Sequence, residues 1–341
     1  MRKLFKWLMP YNNMKLIIPM AGKGTRLRPH TFTTPKALVE LAGSPMLAHV
    51  LDSIKELNFD EAIFVVDQEY LGLGKYLTKR FGFKVSFVMQ KERLGNAHAI
   101  YLTKQLIKDD SDVFVLFADT LIEANLKGLK RIDFDGVIWT KEVDDPRKYG
   151  VVFKDGDVIT KIIEKPEVVD SNEAIVGMYY FKSSAKLFES IETLIDEDMK
   201  TKGEYQLADA IDLMIRNNSV FKSSKVKIWQ DCGTISNLLE ANEYLLRKLK
   251  LRHDSTPKTS VIINPVFIDK GAQIKNSIIG PNVSVGKDVI IENSILKNSI
   301  LGDESKVLDV TLKDSVIGKK AKVSNSDQKR LNVGDWSEVL I

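Results

Sequence analysis

Several short stretches of this chain put charge and backbone freedom where a phosphorylated ligand could be held. The stretch AGKGTRLRP, residues 21–29, directly follows the apolar run LIIPM. Gly22 and Gly24 let a ligand approach the backbone, Thr25 adds a hydroxyl, and Arg26 presents a planar, multi-donor cation. It is not a dinucleotide fingerprint, because Leu27 stands where the third glycine belongs, and it is not a Walker loop. Pro29 and the following TTPK keep the chain extended, so Lys36 should project just after Pro35. Two aspartates close apolar segments: Asp119 ends VFVLFAD and Asp231 lies in KIWQDCGT. Either alone reads as a cap or turn former. Together they offer hard oxygen ligands with no competing His or Cys cluster, which suits Mg²⁺. In FVMQKERLGNAHAI, Gln90 can both donate and accept, and Gly95 lets a base edge approach the backbone. His98 and Tyr101 read as packing or helix surface.

Positioning these groups requires a scaffold, and the chain shows two rhythms. From Met14 to about Leu251, short β-branched or aromatic runs (KLIIPM, AIFVVD, VSFVM, VFVLFAD, GVIWTK) alternate with amphipathic stretches such as LGKYLTKRF. Buried strands separated by helices predict an α/β, doubly wound, mainly parallel Rossmann-like domain over 14–251. Ligands gather at the carboxyl ends of strands in such sheets, which is where AGKGTRLRP lies. After a polar link, 252–260, apolar residues return about every six positions, as in Ile268, Ile274, Ile279, Val285 and Ile291. That period predicts a short left-handed parallel β-helix over 261–325, about four coils of roughly 18 residues, with a tail at 326–341 that leaves the period.

Composition sets limits. The 341 residues, 44% hydrophobic and 28% charged, suit a globular protein of about two domains. A net charge of +4 from 50 basic and 46 acidic residues is too even to argue for a nucleic-acid partner, but leaves anionic small substrates open. No apolar run approaches a membrane span. Cys232 is the one cysteine, which excludes an intrachain disulfide and fits a reducing cytoplasm. The leader MRKLFKWLMPYNN is broken by Lys6 and lacks a small-residue cleavage site, so residues 1–13 read as an extension rather than a signal peptide.

The stretch AGKGTRLRPHTFTTPKAL closely resembles the signature G-x-G-T-R-L-x-P-x-T-x-x-x-P-K of the sugar-1-phosphate nucleotidyltransferases, and further motifs follow in the family's order along nearly the whole chain. The resemblance implies that Ala21, Gly22, Gly24, Thr25 and Arg26 bind a nucleoside triphosphate, and that Lys36 contacts phosphate at the reacting centre. Asp119 in ADT and Asp231 in WQDCGT match the metal-binding aspartates, with Ala118 replacing the commoner glycine. Gln90 and Gly95 match the residues that read a pyrimidine edge, favouring dTTP or UTP. RKYGVVF, IIEKP and AIVGMYYF match the sugar-side motifs, so Gly150, Glu164, Lys165, Gly177 and Tyr179 are expected around the sugar phosphate. Arg26, Lys36, Asp119 and Lys165 are the expected catalytic groups. GEYQLADAI departs from the pattern, with Ala208 where a threonine is usual before Asp209.

The expected reaction joins a nucleoside triphosphate to a sugar 1-phosphate, glucose 1-phosphate foremost, in a homo-oligomer. A mannose-1-phosphate guanylyltransferase and a catalytically silent regulatory subunit are the alternatives. None of the four histidines falls in the repeats (His253 is in the link), which argues against an acyltransferase there.

Overall fold

The computed structural model describes residues 14–340 except 69, 71, 169, 251–258 and 326–329, and omits the side chain of Lys130. The leader, His253 and most of the link at 252–260 therefore lie outside the described residues, as does part of the tail. Packing divides the chain into two compact units. One runs up to Gly22 and resumes over Leu51–Trp229; the other joins Lys23–Val50 to the described residues from Gln230 onward.

The first unit is built on a nine-stranded sheet. Lys84–Met89, Glu61–Val66, Met14–Pro19 and Asp112–Leu116 pair side by side and all in parallel. Helices such as Leu73–Phe81 and Asn96–Tyr101 lie between successive strands, the long crossovers that parallel pairing requires. The expected doubly wound sheet is present, and its other half is mixed. Glu173–Phe181 runs antiparallel to both Asp112–Leu116 and Gly136–Glu142. Gly150–Asp155 and Val158–Glu164 form a hairpin across Gly156 and Asp157, a connection too short for a crossover. Ile17, Val113, Val115, Ile138 and Phe181 are buried on the sheet against Leu187 and Ile191 of the helix Ser184–Asp196 and Leu207 and Ile211 of the helix Leu207–Arg216. Ser183 caps the former by accepting from the Lys186 N–H. Among the described residues no helix is long and apolar enough to cross a membrane.

In the second unit the expected β-helix is present. Val266, Val283 and Ser299 stack in parallel register with Ser315, and Gln273 stacks on Ile290, Lys306, Lys322 and Glu338. Those registers give 16–17 residues per coil rather than the roughly 18 expected. Corners are marked by left-handed residues, one series being Asn276, Asn293, Asp309 and Asn325. Asn and Asp tolerate that conformation best among residues with a Cβ. The tail does not leave the repeat: Asn332–Val333 and Glu338–Leu340 add a further coil. Its period is hidden because this coil supplies few inward apolar groups, Val333 and the half-buried Leu331 and Val339 among them. The helix Ile235–Leu249 belongs to the same unit, with Asn242 accepting from the Ala42 N–H at 3.0 Å and from Ser284 Oγ at 2.7 Å.

Candidate active site

The strand Met14–Pro19 delivers the chain to the loop expected to hold phosphate. Ala21 is buried, and its carbonyl accepts from Arg93 Nε at 3.0 Å, while Arg93 also donates to Asp67 at 2.6 Å. Arg93 thus pins the entry to the loop, a role its position two residues before Gly95 did not announce. Gly22 is exposed, with open space where a side chain would stand.

In the second unit Gly24 takes a left-handed φ of 58°, and its Cα faces the Thr31 side chain and Lys36 Cβ. A side chain there would meet both backbone strain and contacts of 3.0–3.2 Å, so glycine is required. Thr31 Oγ1 closes the loop by donating to the Gly24 carbonyl at 2.8 Å. The short 3-10 turn Thr25–Leu27 buries Leu27 completely and leaves Thr25 and Arg26 exposed. Pro35 is extended as expected, but the chain after Pro29 is not: His30–Phe32 forms a second 3-10 turn, and Lys36 opens a third, Lys36–Leu38, and is half-buried. Arg26 and Asp231 meet at Gly233: a Cβ built there would lie 2.7 Å from the Arg26 guanidinium and 2.8 Å from Asp231 Oδ1. The loop arginine and the second candidate metal ligand therefore share one glycine. Thr234 follows as the side-chain cap of the helix Ile235–Leu249.

In the first unit Asp119 lies in the turn between Asp112–Leu116 and Thr120–Glu123 and accepts from Thr120 Oγ1 at 3.1 Å. Nearby, the Phe117 N–H donates to the carbonyl of Gly177 at 2.9 Å.

Gln90 and Gly95 are brought together. Gln90 Nε2 donates to the Gly95 carbonyl at 3.1 Å and lies 3.2 Å from His98 Nδ1. Burial holds the His98 imidazole below its ordinary pKa, with Glu92 opposing, so neutral Nδ1 can accept the second amide proton. His98, expected as packing, thus helps orient Gln90, and the amide presents Oε1, an acceptor, to any further partner. Gly95 has φ 119° and its Cα abuts the backbone of Tyr205, so no other residue fits. Asn96 locks the same junction, donating to Gln206 at 3.0 Å and accepting from the Leu207 N–H at 2.6 Å.

Residues 205–208 lead directly to the groups expected on the sugar side. The methyl of Ala208 is 3.5 Å from a Cβ built on Gly150, and Glu164 Oε2 is 2.9 Å from it. The departure from the family pattern therefore falls on the wall of this group, beside Gly150. Lys165, in a left-handed backbone conformation, donates its N–H to the Tyr149 carbonyl and pairs with Glu164 at 3.2 Å. Burial raises the pKa of the Glu164 carboxyl; Lys165 works against that and Asp209 with it. Asp209 is itself raised, again chiefly by burial, and its Oδ2 is a buried oxygen without a partner. Tyr179 is buried in the core between Phe117 and Phe181, its phenol pushed far above the ordinary range by burial and by Glu164.

Among the described residues no three His, Cys, Asp or Glu side chains gather to enclose a metal. The carboxylate oxygens of Asp119 and Asp231 fit a hard cation that takes its other ligands from water and phosphate, as Mg²⁺ does, and do not fit a closed zinc centre.

A family model described as nucleotidyl transferase matches residues 15–248. The chain is 27% identical over 360 residues to a glucose-1-phosphate thymidylyltransferase of Streptomyces griseus, covering 96% of this chain and 99% of that protein. It is 30% identical over 369 residues to the low-salt glycan biosynthesis nucleotidyltransferase Agl11 of Haloferax volcanii, with the same coverage. A solved UDP-glucose pyrophosphorylase complexed with UDP-glucose shares the fold at a TM-score of 0.56 and 24% identity, covering 69% of this chain and 99% of that one. With a matching family model over most of its length and full-length relatives, this chain belongs to the nucleotidyl transferase family.

Proposed function

We propose that the protein transfers a nucleotidyl group from dTTP or UTP to a sugar 1-phosphate, glucose 1-phosphate or a close relative, releasing pyrophosphate. The observation that carries this reading is the continuity of residues 205–208. They hold the base-side Gly95 at one end and stand against the sugar-side Gly150 and Glu164 at the other. The Gln90 orientation leaves Oε1 as an acceptor, which can take the ring N3–H of uracil or thymine. Similarity to a thymidylyltransferase supports the pyrimidine choice.

A phosphate oxygen of the sugar 1-phosphate attacks the α-phosphorus, the bond to the bridging oxygen breaks, and pyrophosphate leaves. The attacking oxygen is already ionised, so the chain need supply no nucleophile or base. Its task is to bring two polyanions together and to hold charge in the transition state. The amides of Gly22 and Gly24 and the Thr25 hydroxyl bind phosphate oxygens, and Arg26 and Lys36 neutralise the leaving group and reacting centre. Lys165 holds the sugar phosphate, while Glu164 and the Gly150 backbone bind sugar hydroxyls; Gly177 and Tyr179 wall that group. Asp119 and Asp231 are the carboxylates for a divalent cation, Mg²⁺, which when bound supplies positive charge to phosphate oxygens. The single buried cysteine suits a reducing cytoplasm, and a homo-oligomer is the proposed assembly.

The test is pyrophosphate release from a grid of nucleoside triphosphates and sugar 1-phosphates with Mg²⁺, with Asp119→Asn beside every pair. Turnover with dTTP or UTP, reduced at least about 100-fold in the variant, is expected. Preference for GTP with mannose 1-phosphate would overturn the base assignment, and silence across the grid would overturn the reaction.

A further inference from the structure

The outer side of the phosphate loop is held by the last coil of the β-helix, more than three hundred residues away in sequence. Asn332 Nδ2 donates to the Arg28 carbonyl at 3.3 Å, which turns its Oδ1 toward His30, so His30 Nε2 donates at 2.6 Å. Thr33 and Thr34 both donate to the same Asp335 oxygen, the latter at 3.3 Å. Between these contacts the Pro29 ring fills the space in front of Gly334, where a Cβ would lie 3.0 Å from it. His30, the residue at the centre of this contact, is 5% exposed.

We infer that Asn332 and Asp335 are positioning residues for the nucleotide-binding loop, and that the last coil of the β-helix thereby sets affinity for the nucleoside triphosphate. The inference rests on the function proposed above. Between the buried Leu27 and the turn at Lys36, the loop has little apolar anchorage of its own, since Arg28, Phe32 and Thr33 are exposed. What fixes its backbone is polar. Thr31 ties Gly24 from inside, and Asn332 and Asp335 tie residues 28–34 from outside. A loop ordered before it meets ligand binds more tightly, because the ordering has already been done. Neither residue needs to touch the substrate. Asp335 also accepts from the Lys319 N–H at 2.7 Å through its other oxygen, so its loop-facing oxygen stands on a fixed corner of the coil.

The test uses the full chain and calorimetric binding of dTTP and UTP with Mg²⁺ but without sugar phosphate, together with the apparent KM for each substrate. Asn332→Ala should weaken nucleotide binding roughly tenfold, the scale expected for losing two hydrogen bonds. The KM for sugar 1-phosphate should move less than about twofold. A general loosening of the fold would not split the two substrates in this way. Thr33→Val removes a contact from the loop side and should shift nucleotide affinity in the same direction, which covers the case of a poorly folding Asn332 variant. Asn293→Ala is the control: Asn293 makes a corner bond to Asp309 inside the β-helix and should leave nucleotide affinity unchanged. Wild-type affinity in both Asn332→Ala and Thr33→Val, or equal shifts for both substrates, would overturn the inference while leaving the proposed reaction standing. A wild-type protein that binds no nucleoside triphosphate would overturn both.

Discussion

Glu164 bears two opposed demands. Its carboxyl is buried, which favours the neutral acid, yet a charged acceptor is the better partner for sugar hydroxyls. A carboxyl whose folded pKa lies above its unfolded value binds more protons folded than unfolded. Folding stability from this group is therefore fully present below the ordinary value of 4.5, falls as pH rises toward the raised value, and levels off above it. Glu164→Gln should melt above wild type at pH 7–8, with the gap closing as pH falls below the ordinary carboxylate range. The same change should raise KM for sugar 1-phosphate by about 10-fold or more, the loss of hydrogen bonds to a charged acceptor. A pH-independent melting gap would remove the charge cost, and an unchanged KM would take Glu164 out of the sugar site. Glu164 and Lys165 came into consideration because IIEKP resembles a family motif, as did Gln90 and Gly95. Arg93, His98 and Asn332 did not, because each acts on the site by holding another residue. A guanidinium on the Ala21 carbonyl or an imidazole behind an amide leaves no local pattern, only a contact that appears when distant segments pack.

At the scale of elements, apolar side chains made the β-helix visible and polar ones build its corners. Ser315 is completely buried, donates to the Lys313 carbonyl at 2.9 Å and accepts from the Leu331 N–H of the next coil at 2.9 Å. Ser299 does the same one coil earlier, and Ser294 accepts from the Val310 N–H on another corner. Ser315→Ala should cost about 1–3 kcal/mol, the penalty for leaving a buried backbone donor unpaired, read from denaturant unfolding. A cost within a few tenths of a kcal/mol would mean that the corner N–H finds another partner. A scan for hexapeptide apolar spacing sees Ile279, Val285 and Ile291, all buried, but cannot count the polar residues that turn a corner. That is why coil length and the last coil were misjudged. The sheet shows the same asymmetry. Buried parallel strands announce themselves by continuous apolar runs, whereas the hairpin strand Val158–Glu164 mixes buried Ile159 and Ile162 with exposed Thr160 and Lys161.

At the scale of the whole chain, contiguous stretches of sequence do not coincide with what packs together. Rhythm is a local property and cannot see that Lys23–Val50 packs with the β-helix. The bonds responsible are specific: Ala42 to Asn242, Asn242 to Ser284, His30 to Asn332, and the Phe267 ring laid on Gly43. If these contacts carry the stability of residues 23–50, that segment opens when the β-helix unit opens, not when the nine-stranded sheet does. Native-state hydrogen exchange with rising denaturant separates the two cases, since amides that share one opening reaction converge on one free energy. The Ala42 amide, and the Met46 amide bonded to the Val39 carbonyl, should converge with the Gly286 amide, which is bonded to Leu301 inside the β-helix. They should not converge with the Phe117 amide, which is bonded to Gly177 in the first unit. Convergence with Phe117 instead would mean that sequence contiguity, through Gly22 and Leu51, governs cooperativity more than these contacts do. Convergence with Gly286 would mean that the loop proposed to bind phosphate draws its rigidity from the β-helix.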